Sequence, residues 1–271
     1  MRHLIAALSL ALLPAALEAA ETDAAALKAM HGADVVLLGE VHDNPGHHAR
    51  QAEYVAALKP RALVMEMMSG NQAAIYAANS GAEAAKLADL LNWKQSGWPD
   101  FEMYLEILQA AGDVPVHGAN VPRDMARAAM GEGIAAAFGD EAEAFGLTDP
   151  LPEAEQSERE AFQLKAHCDA LPPEILPMMV DVQRLRDAVL ARQALAAWGT
   201  PGDGPVVVIT GNGHARVDRG VPVYLTRMRP GLRIVALGQS EDGQISGVFG
   251  FVADSPEVDR PDPCEAFAKG Q

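Results

Sequence analysis

Two apolar runs in this chain end in the same four-residue spelling, Gly-x-x-His, and that repetition constrains the fold more than any other feature. The first is Asp34-Val35-Val36-Leu37-Leu38 followed by Gly39-Glu40-Val41-His42. The second is Val206-Val207-Val208-Ile209-Thr210 followed by Gly211-Asn212-Gly213-His214. Short continuous runs rich in β-branched residues read as buried strands. Pro45-Gly46 breaks the chain after the first turn, and residues 47–58 have a helical pattern. A strand, a polar turn and a helix together deliver side chains to the carboxyl end of the strand, where open α/β sheets bind ligands. One histidine in such a turn is more often a satisfied structural residue. Two, each directly after an apolar strand, favour a shared site, with a glycine expected where each turn bends sharply.

The rest of the chain repeats this grammar. Arg61-Ala62-Leu63-Val64-Met65 reads as a strand that ends at Glu66. Val114-Pro115-Val116-His117-Gly118-Ala119 is a third, closed by Asn120-Val121-Pro122-Arg123. Helical patterns cover 71–91 as two short pieces, then 101–111, 124–138, 153–170 and 174–198, with a kink expected at Pro177. Beyond residue 206 the runs 221–225, 233–237 and 246–252 read as strands with little room for helices between them. The expected fold is α/β: a mainly parallel central sheet flanked by helices, with a C-terminal edge that is partly antiparallel. One domain over 21–271 is expected, with helical insertions at about 71–111 and 153–198, since ~250 residues suit a single large α/β unit.

Residues 1–20 have a basic start, an apolar run from Leu4 to Leu17 and small residues before Glu21. This is the layout of a secretory signal peptide, too short for a comfortable membrane span, with cleavage expected after Ala19 or Ala20. No cysteine follows the apolar run, so no lipid-attachment site is seen, and a soluble exported or periplasmic protein is expected. The formal net charge of −16 opposes a nucleic-acid surface, because phosphates would be repelled. Acidic residues between 140 and 160 read as a solvated face. The two cysteines, Cys168 and Cys264, fit no zinc spacing, and an oxidising compartment permits a disulfide without the sequence saying whether they meet.

Glu40, His42, Glu66, Asn120 and His214 all follow strands and converge on one rim if the sheet is doubly wound. Two imidazoles and two carboxylates suffice for a transition-metal site with open positions, or for acid–base work on a water. There is no Gly-x-Ser-x-Gly elbow, no HExxH helix and no glycine-rich phosphate loop. Trp93, Trp98, Phe101 and Tyr104 cluster in a chain that is only 5% aromatic, which suggests an apolar ligand wall although such residues are more often core. Arg123, near a helix start, suits an acidic ligand group as well as it suits solvent.

The stretch from Leu38 to Asn44, with His47-His48 and Gln51 after it, resembles the opening motif of the ChaN-like haem-binding uptake proteins of the Tiki/TraB/erythromycin-esterase-like superfamily. Met65-Glu66-Met67, the stretch from Trp93 to Tyr104, Asn120 to Arg123, Asp187 and the turn Gly211 to His214 follow in that family's order, across nearly all of the mature chain. The resemblance implies haem binding in iron uptake, dimerisation around stacked haems, and outer-membrane or periplasmic haem-transport partners. The haem-binding residues it implies are His42, His48, Trp93, Trp98, Tyr104, Asn120, Arg123 and His214. In the family pattern a tyrosine holds the iron; Tyr54, Tyr76, Tyr104 and Tyr224 all stay open here, with Tyr104 favoured by its aromatic neighbours. The chain departs from the pattern by lacking a lipoprotein cysteine. The alternative is a metal-dependent peptidase or esterase, with a divalent transition metal on Glu40, His42, Glu66 and His214 and with Glu40 or Glu66 as base. The residues leave open whether the protein is an enzyme.

Overall fold

The apolar runs become strands because helices cover both of their faces. In the computed structural model, which describes residues 23–262 and 264–265, β1 is Val35–Leu38, β2 is Ala62–Met65, β3 is Val116–Gly118, β4 is Val206–Ile209, β5 is Ile234–Glu241 and β6 is Phe251–Ser255. They form one sheet in the order β3-β2-β4-β1-β5-β6, and every named pair is parallel. All residues of β1, β2 and β4 are buried. That is why these strands read as unbroken apolar runs rather than alternating ones. The leader expected at residues 1–20 lies outside the described residues.

Side chains leave a strand alternately to its two faces, and the two cores divide accordingly. Val36, Leu38, Leu63, Met65, Val207 and Ile209 pack beneath a first helix over 23–31 (α1), α2 (Pro45–Leu58), α3 (Gly70–Asn79), α4 (Ala84–Leu90) and α5 (Phe101–Ala111). Val35, Leu37, Val64, Val206 and Val208 pack on the other side. There they meet α6 (Arg123–Glu132), α7 (Ile134–Phe138), α9 (Leu176–Trp198) and α11 (Val221–Met228). Helix α8 (Glu153–Ala166) lies outside, against α9. The helical segments 71–111 and 153–198 thus supply parts of both covering layers.

Four expectations need correction. The C-terminal edge is not antiparallel: β6 pairs with β5 in parallel, and the antiparallel element there is an isolated bridge between Glu241 and Gln244. The run 221–225 is not a strand but the start of α11, with Pro222 in its first turn. Val221, Tyr224 and Leu225 turn inward while Val223 is exposed, a helical rather than a strand period. The segment 124–138 is two helices, α6 and α7, because Gly133 has φ of 90°. Pro177 sits in the first turn of α9, where a proline breaks no hydrogen bond.

Candidate functional site

Strand register brings the two Gly-x-x-His turns together. Leu38 lies level with Ile209, and Ile209 lies level with Met65, so Gly39, Thr210 and Glu66 emerge side by side at the carboxyl rim. β4 runs between β1 and β2, so the second turn falls between the first turn and Glu66. Neither motif glycine has the left-handed backbone that would demand glycine, and Gly211 has φ of −62°. Close approach requires them instead. A Cβ on Gly39 would lie 2.5 Å from Asn212 Oδ1, and one on Gly211 would lie 2.9 Å from His42 Nε2.

Buried amides tie the turns down. The backbone N–H of Gln239 donates to Asn212 Oδ1, and Asn212 Nδ2 donates to the Gln239 carbonyl. Gln239 Nε2 donates to the Gly39 carbonyl at 2.7 Å, and Gln51 Nε2 donates to the Leu38 carbonyl. His47 is structural. Its Nδ1 accepts from the Val41 backbone N–H, so the ring is neutral there and its Nε2 donates to the Ser240 carbonyl. Burial lowers the pKa of His47, consistent with that role.

His42 and His214 are built differently. His42 Nδ1 donates to Glu40 Oε1 at 2.7 Å, and its side chain is 33% exposed. His214, from the short helix α10 (Asn212–Ala215), donates from Nδ1 to Asp187 Oδ1 at 2.7 Å and holds Nε2 at 3.5 Å from Glu66 Oε1. Each imidazole is therefore oriented by a carboxylate on one nitrogen and turns the other toward a common space. Glu66 Oε2 accepts from Thr210 Oγ1 at 2.6 Å and from the Gly211 backbone N–H at 2.8 Å.

The charges support one another. Burial opposes charge on His42, but the bond to Glu40 and the nearby Glu66, Glu40 and Asp43 carboxylates raise its pKa to about 9. Burial likewise opposes charge on His214, and Glu66 and Asp187 more than offset it, moving the pKa upward. Burial would protonate Glu66; His214, His42, Thr210 and the Gly211 N–H hold its pKa at about 2 instead.

These groups line a cavity of about 310 Å3, bounded by His42, Glu66, Trp98, Asn120, Val121, Gln183, Arg186, Leu190 and His214, among others. Of the residues expected from sequence, the structure thus gathers His42, Glu66, Trp98, Asn120 and His214 around one cavity. The Trp98 ring lies 4.8 Å from that of His42. Glu40 stands behind His42, fully enclosed, and Tyr104 donates to it at 3.1 Å.

Four expected residues lie elsewhere. Tyr104 is completely buried, and burial beside Glu40 raises its pKa, so it braces Glu40 and does not meet the cavity. Trp93 is core, donating to the Pro99 carbonyl and packing on Phe101 and Tyr104. His48 donates to the His42 carbonyl and stands edge-on to Tyr104. Arg123 is exposed near Gly97 and does not line the cavity. Among the described residues, no group of three or more His, Cys, Asp and Glu side chains is set to hold a metal ion.

Two polar wall residues were not expected from the sequence. Gln183 and Arg186 lie on α9, in the stripe Gln183, Arg186, Asp187, Leu190 at helical spacing. The available signal was the presence of polar residues on the same stripe as an inward-facing leucine.

The sequence profile of the family described as haem-binding uptake, Tiki superfamily, ChaN matches residues 26–225. No curated protein matches the chain. Among solved structures, the fold is similar to ChaN of Campylobacter jejuni, described by its cofacial haem binding. The TM-score is 0.64 at 20% identity, covering 83% of this chain and 89% of that one. The type III effector HopBA1 is a weaker likeness, with a TM-score of 0.47 at 15% identity, covering 86% of this chain and 92% of that one. With the profile matched from the first helix through most of α11, this chain belongs to the ChaN family of haem-binding uptake proteins in the Tiki superfamily.

Proposed function

We propose that this protein is an exported haem-binding protein of the uptake type and that it meets haem at the cavity mouth, where His42 and Trp98 stand together. The observation that carries the reading is the His42 imidazole: one third exposed, held on Nδ1 by Glu40, and 4.8 Å from the Trp98 ring. Family membership and the haem named for the C. jejuni relative support it. Haem asks a protein for an iron ligand, a flat apolar contact and donors for its propionates. The mouth offers an imidazole nitrogen and an indole. A phenol is not on offer there. All four tyrosines are buried, at 7% exposure or less, so His42 replaces Tyr104 as the favoured ligand. Haem is cargo in this reading; Glu40 orients the imidazole and Trp98 covers it. The mature chain is a single domain over 21–271 after loss of a leader at 1–20, and two copies facing each other at their mouths form the carrier dimer.

Titration of the mature protein with haem tests this. A saturable shift of the Soret band is expected, with quenched tryptophan emission from Trp98. His42→Ala should weaken binding about tenfold or more while the far-UV spectrum stays unchanged. A wild-type protein with no saturable Soret shift would remove haem binding as its function.

A second reading rests on the two carboxylate-backed imidazoles whose free nitrogens face the space beside Glu66. That arrangement also orients metal ligands and general bases. In a divalent-metal hydrolase His42, His214 and Glu66 would have to draw together to hold the ion, since among the described residues they are not grouped to do so, and Glu40 and Asp187 would orient the rings. Ester or peptide hydrolysis that needs a divalent ion and disappears in Glu66→Gln would favour this reading over the carrier.

A further inference from the structure

The cavity has two unlike walls. On one, His42, Glu66 and His214 are engaged with each other or with Glu40, Asp187, Thr210 and Gly211. On the other stand Asn120, Gln183 and Arg186, all half-buried. Among the described residues, none of these three side chains makes a hydrogen bond or ion pair with another protein group. Elsewhere on α9 the arginines are occupied: Arg184 binds the Gly146 and Asp149 carbonyls, and Arg192 binds the Phe138 carbonyl and lies over the Phe138 ring. Arg186 alone among these three turns into the cavity with its donors uncommitted.

We infer that Asn120, Gln183 and Arg186 form a carboxylate cradle, and that its occupant is a propionate side arm of haem. The inference rests on the haem-binding reading above and adds Gln183 and Arg186, which the sequence motifs do not contain, to Asn120, which they do. A guanidinium presents parallel N–H donors that match the two oxygens of a carboxylate, and amides on either side add neutral donors. The negative charge of Glu66 is already answered by His42 and His214, so Arg186 is not needed to balance it. A volume of about 310 Å3 is at the small end of ligand sites. It suits a short acidic arm, with the much larger tetrapyrrole lying outside against Trp98. Gln183 and Arg186 are one turn apart on one stripe of a long packed helix, so their spacing is fixed before any ligand arrives.

The test compares haem with haem dimethyl ester, in which both propionates are masked, on the wild-type protein and on Arg186→Gln. Wild-type protein should bind haem about tenfold or more tightly than the ester, the size expected for a charge-assisted pair. Arg186→Gln should lose that preference by weakening haem alone, and Arg186→Lys should restore part of it. Gln183→Glu, which places a like charge in the cradle, should weaken haem and leave the ester unaffected. Far-UV spectra and melting curves confirm that each variant is folded. Equal binding of haem and ester by the wild type overturns the cradle while leaving haem binding intact. A preference that survives in Arg186→Gln also overturns it, because the propionate partner must then be elsewhere. Failure of the wild type to bind either compound overturns the haem reading and the cradle with it.

Discussion

At the scale of single residues, the site is governed by charges that stabilise one another away from water. His42 is held at a pKa of about 9, above its ordinary 6.5, chiefly through Glu40 and Glu66 acting against burial. The stabilisation tied to that proton is fully present below 6.5 and is lost as pH rises through about 9. Glu66 is the opposite case. Its contribution is present above its ordinary 4.5 and is lost as pH falls through about 2. Glu66→Gln should therefore lower the His42 midpoint, read from the imidazole proton shifts by NMR, and should flatten the acid limb of stability against pH. An unchanged midpoint would mean that Glu40 alone holds the proton. If His42 ligates iron, the proton competes with it, so haem affinity should rise between neutral pH and about 9. The pairing of the two histidines was legible in the sequence, because both turns follow apolar strands with the same spacing. The roles of Tyr104 and Trp93 were not. An aromatic beside a site and an aromatic beneath it have the same local signature, and only the packing separates them.

At the scale of elements, close backbone approaches fix where the strands and turns sit. Gly118, the last residue of β3, faces the backbone of Ser69 at the start of α3, and a Cβ there would lie 2.2 Å from the Ser69 carbonyl oxygen. That atom cannot swing aside as a side chain could. Gly118→Ala should cost about 1–3 kcal/mol in urea unfolding. Gly213→Ala, which meets nothing within 4 Å, should fall within about 0.5 kcal/mol of the wild type. Equal stability of the two variants would show that β3 moves freely relative to α3. The same scale explains the misreading of α11. Val221-Pro222-Val223-Tyr224-Leu225 is too short and too β-branched for periodicity to decide. Contact between Val221, Tyr224 and Leu225 and the sheet decides it in favour of a helix.

At the scale of the whole molecule, the C-terminal tail returns across the structure and is fixed twice. Arg260 donates to Asp43, beside His42, and to Glu241 at the end of β5. Cys264 forms a disulfide with Cys168, which follows α8, across a separation of 96 residues. Closing so long a loop restricts the unfolded chain. Replacing both cysteines by serine should lower unfolding free energy by roughly 2–5 kcal/mol. The bond also accords with export, since disulfides persist in oxidising compartments. Intact-mass measurement of the protein from its native host should show loss of the first 19 or 20 residues and of two thiol hydrogens. An intact leader with free thiols would place the protein in a reducing compartment.

By itself the sequence determined what short-range physics determines. Unbroken apolar runs made β1, β2 and β4 buried strands, the helical spacing of Phe101, Tyr104, Leu105 and Leu108 made α5, and polar residues just past the strands marked the carboxyl rim that carries the candidate site. Only the tertiary structure decided that β4 inserts between β1 and β2, which sets Gly211 against the His42 ring and brings His214 beside Glu66. It also decided that α9 crosses that rim with Asp187 supporting His214 and Arg186 facing the cavity, and that the tail reaches back to Cys168. The reason is physical. Local patterns record which face of an element is apolar, whereas strand order and helix placement arise from pairings between residues far apart in sequence, whose free energy no local window contains.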